Sequence, residues 1–313
     1  MVKALAMQSG KTVFDPQAKL LWHGCSIEKW LKTGESPLSL IEISPTGYCN
    51  ASCPWCFFKD KHTKEKIDAV TMLSFLRQIE AVGVKAINWT GGGEPTIHPD
   101  FDAFVSYAHA LGLQQGLFTN GYKEIPSQGL FNWVRISLTE KGFDKIVRPH
   151  ASFGICLNQT TRHTKEEIQD LCTQAKNFGA DYFQVRPALI GDYRDQPDLE
   201  APEYLTTHRT KSFKVYVTDY KYQEARKSRH YKQCYGFHVC PALDWNGNLV
   251  VCLYRQNESK YIIGNIYKED FETIIKKFPK SAKVDMQCQN CCKNHEINKS
   301  MYNAKNVKDV HSI

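Results

Sequence analysis

Between residues 38 and 190, short apolar runs alternate with longer runs in which apolar residues recur every three or four positions. The short runs are typical of strands, and the long runs are typical of amphipathic helices. Strands are predicted at 38–44, 85–90, 113–121, 132–139, 152–159 and 181–190. Helices are predicted at 64–83, 101–112 and 165–179, the last of them capped by Thr164. Strands joined by helical crossovers form a parallel α/β sheet, and six units are too few to close an eight-stranded barrel, so a partial (β/α)6 TIM-like barrel is expected.

The rest of the chain divides into three segments around this predicted barrel, which spans 38–190. Residues 1–37 form a lead-in segment, 191–233 form a linker with a strand at 212–222, and 234–300 form a small α+β cysteine-rich domain. In that domain, residues 242–254 predict a β-hairpin turning at Asn246-Gly247, and 268–278 predict a short helix. Three residues of the lead-in segment are candidate packing anchors: Trp22, Trp30 and Leu31.

Twelve cysteines in a chain of 313 residues are more than a typical core needs. A chain of this length does not depend on disulfides as small secreted domains do, and neither a secretion signal nor a membrane-spanning run is visible. We therefore expect a cytoplasmic protein whose cysteines are mostly metal ligands. Cys25, Cys156 and Cys172 stand apart and are expected to be small buried hydrophobic residues.

The first cysteine group, Cys49, Cys53 and Cys56, has the spacing C-x3-C-x2-C directly after the first predicted strand. Ligands of parallel α/β folds bind at the carboxyl ends of strands, which places this group where an active site is expected. Three thiolates can hold three irons of a [4Fe–4S] cluster and leave the fourth iron open. The alternative is a zinc knuckle, which needs a fourth ligand nearby, and the nearest histidine is His62.

The motif, with an aromatic residue just before its last cysteine, resembles the signature of the radical S-adenosylmethionine (radical SAM) superfamily. The resemblance implies that the open iron takes the amino and carboxylate groups of the methionine part. The reduced cluster would then cleave S-adenosylmethionine to a 5′-deoxyadenosyl radical. It also implies that Trp55 lies beside the adenine, and that flavodoxin or ferredoxin supplies the electron.

The segment TGGGEP (90–95), after the second predicted strand, resembles the superfamily's glycine–glycine–glutamate motif. By this resemblance, Gly92, Gly93 and Glu94 bind the amino group of the methionine part. Glycines allow close backbone approach, and a carboxylate accepts hydrogen bonds from an ammonium. Three weaker matches are Ser137 as a ribose or carboxylate contact, the strand ending 118–121, and Arg186 as a residue that neutralises a carboxylate.

A second cysteine set follows the predicted barrel and resembles the twitch domain and the longer SPASM domain, which hold auxiliary [4Fe–4S] clusters. We expect one auxiliary cluster, because the cysteines suffice for one only. Cys240 is an alternative to Cys234, Cys292 is an alternative to Cys291, and a zinc ribbon-like site is the alternative to iron. The expected ligands are Cys234, Cys252, Cys288 and Cys291.

The resemblance implies abstraction of a hydrogen atom from a small molecule or a peptide, leading to oxidation or crosslinking with the auxiliary cluster as electron acceptor. No catalytic acid or base is identifiable. An RNA-modifying enzyme is the alternative, since the basic stretch 208–232 carries interleaved tyrosines, and a second alternative is a non-enzymatic iron–sulfur or zinc protein that binds nucleic acid. The tyrosines are Tyr216, Tyr220 and Tyr222.

Overall fold

A computed structural model describes residues 16–188, 199–218, 221–222, 229, 231–256, 258–285, 288 and 294–307. Twelve strands occur in this part of the chain. They are β1 (Leu40–Ile43), β2 (Ala86–Trp89), β3 (Gln114–Thr119), β4 (Trp133–Ser137), β5 (Gly154–Gln159), β6 (Tyr182–Pro187), β7 (Lys214–Val217), β8 (Gln233–Cys234), β9 (Ala242–Leu243), β10 (Asn248–Val250), β11 (Ile262–Asn265) and β12 (Ala282–Lys283).

The helices of the same residues include those predicted from the sequence. They are α1 (Pro16–Leu21), α2 (Gly24–Thr33), α3 (Ala69–Ala81), α4 (Phe101–Ala110), α5 (Lys165–Asn177), α6 (Phe271–Lys276) and α7 (His295–Asn306). Thr164 caps α5 as predicted and forms a capping box with Glu167. None of the described helices has both the length and the apolar character needed to cross a membrane.

Strands β1 to β7 form a continuous parallel sheet in chain order. This confirms the predicted α/β class with a mostly parallel sheet. The six predicted strands are present, and β7 adds a seventh parallel strand beside β6. The run at 212–222 was predicted as a strand of the linker, but its pairing with β6 is a non-local contact that the sequence pattern does not reveal.

The C-terminal residues extend the other edge of the same sheet. Strand β9 pairs in parallel with β1, and β10 and β11 follow in antiparallel order. Side chains of this region join the main hydrophobic core under α3 and α4. The proposed boundary at residue 234 therefore crosses one sheet and one core, whose C-terminal members are Leu243, Leu249, Phe271 and Ile274.

A smaller core joins the lead-in segment to the C-terminal helix. Trp30 of α2 is buried against Tyr235, with ring centroids 5.7 Å apart, and Met301 of α7 belongs to the same cluster. The other two candidate anchors are exposed, at 89% for Trp22 and 42% for Leu31. Leu31 directly follows Trp30 in α2 and points in another direction, whereas Trp22 lies between α1 and α2.

Candidate active site

A cavity of about 370 Å³ lies at the carboxyl ends of the parallel strands. Loops that follow β1, β2 and β3 form one side of it, and strands β4 to β6 form the other. All eight site residues predicted for the first cluster and for S-adenosylmethionine line this cavity. They are Cys49, Cys53, Trp55, Cys56, Gly92, Gly93, Glu94 and Ser137.

The three cysteines lie on the loop after β1, and their side chains are half-buried. The backbone N–H groups of Ala51 and Phe58 donate to the sulfurs of Cys49 and Cys56, each at 3.4 Å. Asn120, after β3, donates to the sulfur of Cys49 at 3.9 Å. Such contacts orient the sulfurs toward the cavity before any metal binds.

Burial raises the pKa of these three thiols above the ordinary value of a cysteine. It raises the pKa of Cys49 to about 11 and that of Cys53 to about 12, and it also raises the pKa of Cys56. Neighbouring cysteines add to the shift at Cys49 and Cys53, since several thiolates together repel one another. Metal binding therefore has to release protons from this loop.

The donor set of the cysteine loop fits an iron–sulfur cluster, since its three thiols line one cavity. Ligands of one zinc must converge on a point about 2.3 Å from each sulfur. In a [4Fe–4S] cluster each thiolate binds a different iron, so three thiols around a cavity suffice.

The glycine-rich loop after β2 is hydrogen-bonded to the cysteine loop. Gly93 N–H donates to the Thr46 carbonyl at 2.9 Å, and Glu94 N–H donates to the Tyr48 carbonyl at 2.8 Å. Gly92 N–H donates to the Ser44 hydroxyl at 3.1 Å. The two predicted motifs are therefore one unit, joined by backbone groups rather than by their functional side chains.

Two of the glycines are required by close packing. A Cβ on Gly92 would lie 1.9 Å from the Trp245 ring, and a Cβ on Gly93 would lie 1.9 Å from the Tyr48 carbonyl oxygen. Trp245 belongs to the β9–β10 hairpin and is fully buried against both loops. Sequence reasoning missed Trp245, because no local pattern links the hairpin turn to a loop more than 150 residues away.

Glu94 is buried at 4% exposure and its carboxylate accepts four hydrogen bonds. Among the described residues, Oε1 accepts from the N–H and hydroxyl of Thr96 and from the Thr119 hydroxyl, whereas Oε2 accepts only the Asn120 N–H at 2.7 Å. Glu94 therefore fixes the glycine loop to the end of β3. Burial raises its pKa, which these hydrogen bonds oppose. One lone pair on Oε2 remains for a ligand.

Asn120 connects the two motifs more directly than the sequence indicated. Its backbone N–H binds Glu94, and its side-chain amide donates to Asn50 at 2.8 Å and to the Cys49 sulfur. The segment 118–121 was a weak match to the superfamily, and only the structure shows that Asn120 is the residue of this segment that contacts both loops.

Trp55 of the cysteine loop and Ser137 of β4 both line the cavity. The Trp55 ring is 6.3 Å from the His163 ring, which belongs to the loop between β5 and α5. Ser137 is the last residue of β4 and is half-buried. Arg186 of β6 also lines the cavity, and its Nε donates to the Asn158 side chain at 2.8 Å.

The second cysteine set is described in part. Cys234 on β8 pairs with Ala282 on β12, and Cys252 precedes a short 3₁₀ turn. The Cys288 sulfur accepts from Nη2 of the buried Arg255 at 3.1 Å. Cys291 and its alternative Cys292 lie outside the described residues. The choice between half-buried Cys234 and buried Cys240 stays a prediction.

Residues 43–192 match the sequence profile of the Radical SAM superfamily. An S-adenosylmethionine-dependent nucleotide dehydratase from Selenomonas ruminantium is 33% identical over 82 residues, which are 26% of this chain and 29% of that protein. A GTP 3′,8-cyclase from Helicobacter pylori is 26% identical over 181 residues, 53% of this chain and 52% of the cyclase. The chain thus spans about half or less of the length of these curated relatives.

The crystal structure of Streptococcus suis SuiB bound to S-adenosylmethionine has a TM-score of 0.59 to this chain. The superposition covers 86% of this chain and 72% of SuiB at 17% sequence identity. A polyhistidine-tagged anSMEcpe with bound AdoMet has a TM-score of 0.51 at 14% identity, covering 85% and 84% of the two chains. At these identities the similarity shows a shared fold.

Proposed function

We propose that this chain, whose residues 43–192 match the radical SAM superfamily, is an enzyme that cleaves S-adenosylmethionine reductively, using a [4Fe–4S] cluster held by Cys49, Cys53 and Cys56. One observation carries the proposal. The cysteine loop and the glycine–glutamate loop are hydrogen-bonded to each other and line one cavity at the carboxyl ends of the strands.

When bound, such a cluster supplies the electron that breaks a carbon–sulfur bond of S-adenosylmethionine and yields the 5′-deoxyadenosyl radical. The residues of this chain bind and orient the cosubstrate. The backbone of Gly92 and Gly93 and the remaining lone pair of Glu94 suit the methionine ammonium. Trp55 suits the adenine, and the Ser137 hydroxyl suits the ribose or the carboxylate.

We further propose an auxiliary [4Fe–4S] cluster at Cys234, Cys252, Cys288 and Cys291, which would accept the second electron in a substrate oxidation or crosslinking. A contact between this region and the first site supports a functional link. Gln256, close after Cys252, donates to the Ser44 hydroxyl at 2.8 Å, and that hydroxyl in turn accepts the Gly92 N–H.

The substrate class proposed is a small molecule or a peptide. Relatives are named as acting on GTP or on a nucleotide, and solved structures of similar fold include SuiB bound to precursor peptide SuiA and anSMEcpe with a Cp18Cys peptide. The radical would take a hydrogen atom from the substrate and form 5′-deoxyadenosine. Flavodoxin or ferredoxin would supply the electron, and the cysteine content suits a reducing compartment such as the cytoplasm.

The RNA-modifying alternative has less support from the described tyrosines of the basic stretch. Tyr216 packs edge-on against Tyr182 with ring centroids 5.6 Å apart, and Tyr222 is 5% exposed with its hydroxyl bonded to Gln159. Rings packed in this way do not offer both faces for stacking on bases. Tyr220 lies outside the described residues.

The test is anaerobic reconstitution followed by electron paramagnetic resonance of the reduced protein with and without S-adenosylmethionine. We expect about eight irons per chain and a signal that changes on addition of S-adenosylmethionine. Cys53→Ala should abolish that change, and Cys25→Ala should preserve it, because Cys25 lies outside the cavity and is exposed rather than buried as predicted. A reduced cluster whose electron paramagnetic resonance signal does not change on addition of S-adenosylmethionine would refute the proposal.

A further inference from the structure

Arg135 lies on β4 with its side chain facing the interior of the barrel. Its neighbours Val134 and Ile136 join the hydrophobic core beneath the helices, whereas Arg135 and Ser137 line the cavity, as the alternation of a strand requires. Arg135 is only 9% exposed. A guanidinium group is thus held inside the cavity of the candidate active site.

The described surroundings hold the Arg135 guanidinium in place without neutralising it. Nη1 donates to the Gln184 side chain at 2.5 Å, and the group lies 4.2 Å from the centroid of the Phe118 ring. Nε is buried and has no hydrogen-bond partner among the described residues. No Asp or Glu of those residues forms an ion pair with Arg135.

A second arginine lines the same cavity. Arg186 on β6 is half-buried, with its Nε donating to Asn158. Burial lowers the pKa of Arg135, and the nearby Arg186 charge lowers it further. Glu94 is the acidic residue that lines the described cavity, and four protein hydrogen bonds already fix its carboxylate to the loops.

A buried guanidinium without a counterion destabilises the folded protein, because the charge loses its hydration and no opposite charge replaces it. An oxyanion in the cavity would offset that cost. Arginine presents a planar fork of donors that matches carboxylates and phosphates, and stacking on Phe118 with a bond to Gln184 fixes that fork in advance. Pre-organisation of this kind reduces the entropy lost on binding.

We propose that Arg135, together with Arg186, forms a subsite for a carboxylate or phosphate oxyanion of the substrate. The inference rests on the proposed function, since it names the substrate class of that site. Arg135 precedes the strand-end residue Ser137 by two positions, about 7 Å along the strand. The subsite therefore lies deeper in the barrel than the cysteine and glycine loops, where S-adenosylmethionine is proposed to bind.

The test is anaerobic isothermal titration of the reconstituted protein with inorganic phosphate and, separately, with acetate, each with and without saturating S-adenosylmethionine. We expect saturable binding of at least one anion that persists with S-adenosylmethionine present. Arg135→Gln should weaken it at least tenfold, as loss of a charge-assisted hydrogen bond predicts. Arg148→Gln, at an exposed arginine outside the cavity, should leave it unchanged. Arg186→Gln, at a half-buried site, serves as second variant if Arg135→Gln does not fold.

Absence of saturable binding of both anions would overturn the subsite. Displacement of the anion by S-adenosylmethionine would also overturn it, because the arginines would then serve the methionine carboxylate. The two proposals fail separately. A protein that makes 5′-deoxyadenosine but binds neither anion refutes the subsite alone, whereas anion binding at Arg135 without 5′-deoxyadenosine refutes the radical chemistry.

Discussion

At the scale of single residues, the site depends on polar groups whose partners are already fixed in the folded chain. Glu94 is the clearest case, since all four of its hydrogen bonds come from donors on its own loop or on the end of β3. Replacing a buried acceptor that faces only donors by another donor lowers the stability of the fold, because the donors then have no acceptor. The same carboxylate therefore organises the loops and keeps one lone pair for a ligand.

Glu94→Gln should lower the free energy of unfolding by about 1–3 kcal/mol, because the new amide group faces the donors of Thr119 or Asn120. Urea denaturation of the cluster-free protein measures this. Glu124→Gln, at an exposed carboxylate beyond β3, is the control and should change stability by less than about 0.5 kcal/mol. Equal stability of the Glu94→Gln variant and the unmodified protein would contradict the assigned role.

His238 links the lead-in segment to the C-terminal region. Its Nδ1 lies 2.7 Å from the Ser36 hydroxyl and its Nε2 lies 3.3 Å from the Lys280 carbonyl, so the neutral Nε2–H form satisfies both. Burial lowers its pKa from 6.5 to about 4. Between pH 6.5 and about pH 4, His238 is therefore protonated in the unfolded chain but neutral in the folded chain.

Stability should accordingly fall as the pH drops from about 6.5 toward 4. The His238 contribution is about 2 kcal/mol between pH 7 and pH 5. Urea denaturation at the two pH values should show a smaller pH effect in His238→Gln than in the unmodified protein. His109→Gln, at an exposed histidine, should retain the full effect. An unchanged pH effect in His238→Gln would argue against a buried neutral histidine.

At the scale of elements, the two loops after β1 and β2 form one hydrogen-bonded unit. The predicted helix at 64–83 begins only at Ala69, because residues before it bind the cysteine loop. Gly47 N–H donates to the Glu65 carbonyl, and Ile67 N–H donates to the Pro45 carbonyl. Helical periodicity indicates the amphipathic face but does not reveal such backbone hydrogen bonds. The start of α3 was therefore predicted too early.

Gly93→Ala should displace the cysteine loop, because the added methyl group would lie 1.9 Å from the Tyr48 carbonyl. We expect most of the iron at the first cluster to be lost after reconstitution, as measured by iron content relative to Cys53→Ala. Gly129→Ala is the matched control, since nothing lies within 4 Å of its added Cβ. Full iron retention in Gly93→Ala would show that the loops are not packed as described.

At the scale of the whole molecule, the sequence predicted the mostly parallel sheet and the two loops that line the cavity. Periodicity and motif spacing are local signals, and both were sufficient for β1 to β6 and for the residues of the two loops. Trp245 and Arg135 were missed as site residues, and Asn120 was noted only as part of the weak match at 118–121, because their contacts join distant segments. The extension of the sheet by β9 to β11 is likewise non-local.

Removal of the residues after 233 should unfold the barrel. The edge of β1 would lose β9, and the core would lose four large apolar side chains of the C-terminal region, about 6–12 kcal/mol of burial. This is comparable to the total stability of a domain. A chain ending at residue 285 keeps β9 to β11 and α6 and should unfold cooperatively in urea. Cooperative unfolding of residues 1–233 would show an independent barrel.

The most direct test of the account is the amount of 5′-deoxyadenosine formed when the reconstituted protein is given dithionite and S-adenosylmethionine without oxygen. We expect that 5′-deoxyadenosine forms, that Cys53→Ala abolishes its formation, and that Cys25→Ala preserves it. Absence of 5′-deoxyadenosine from a protein with a reducible cluster at Cys49, Cys53 and Cys56 would contradict the central claim.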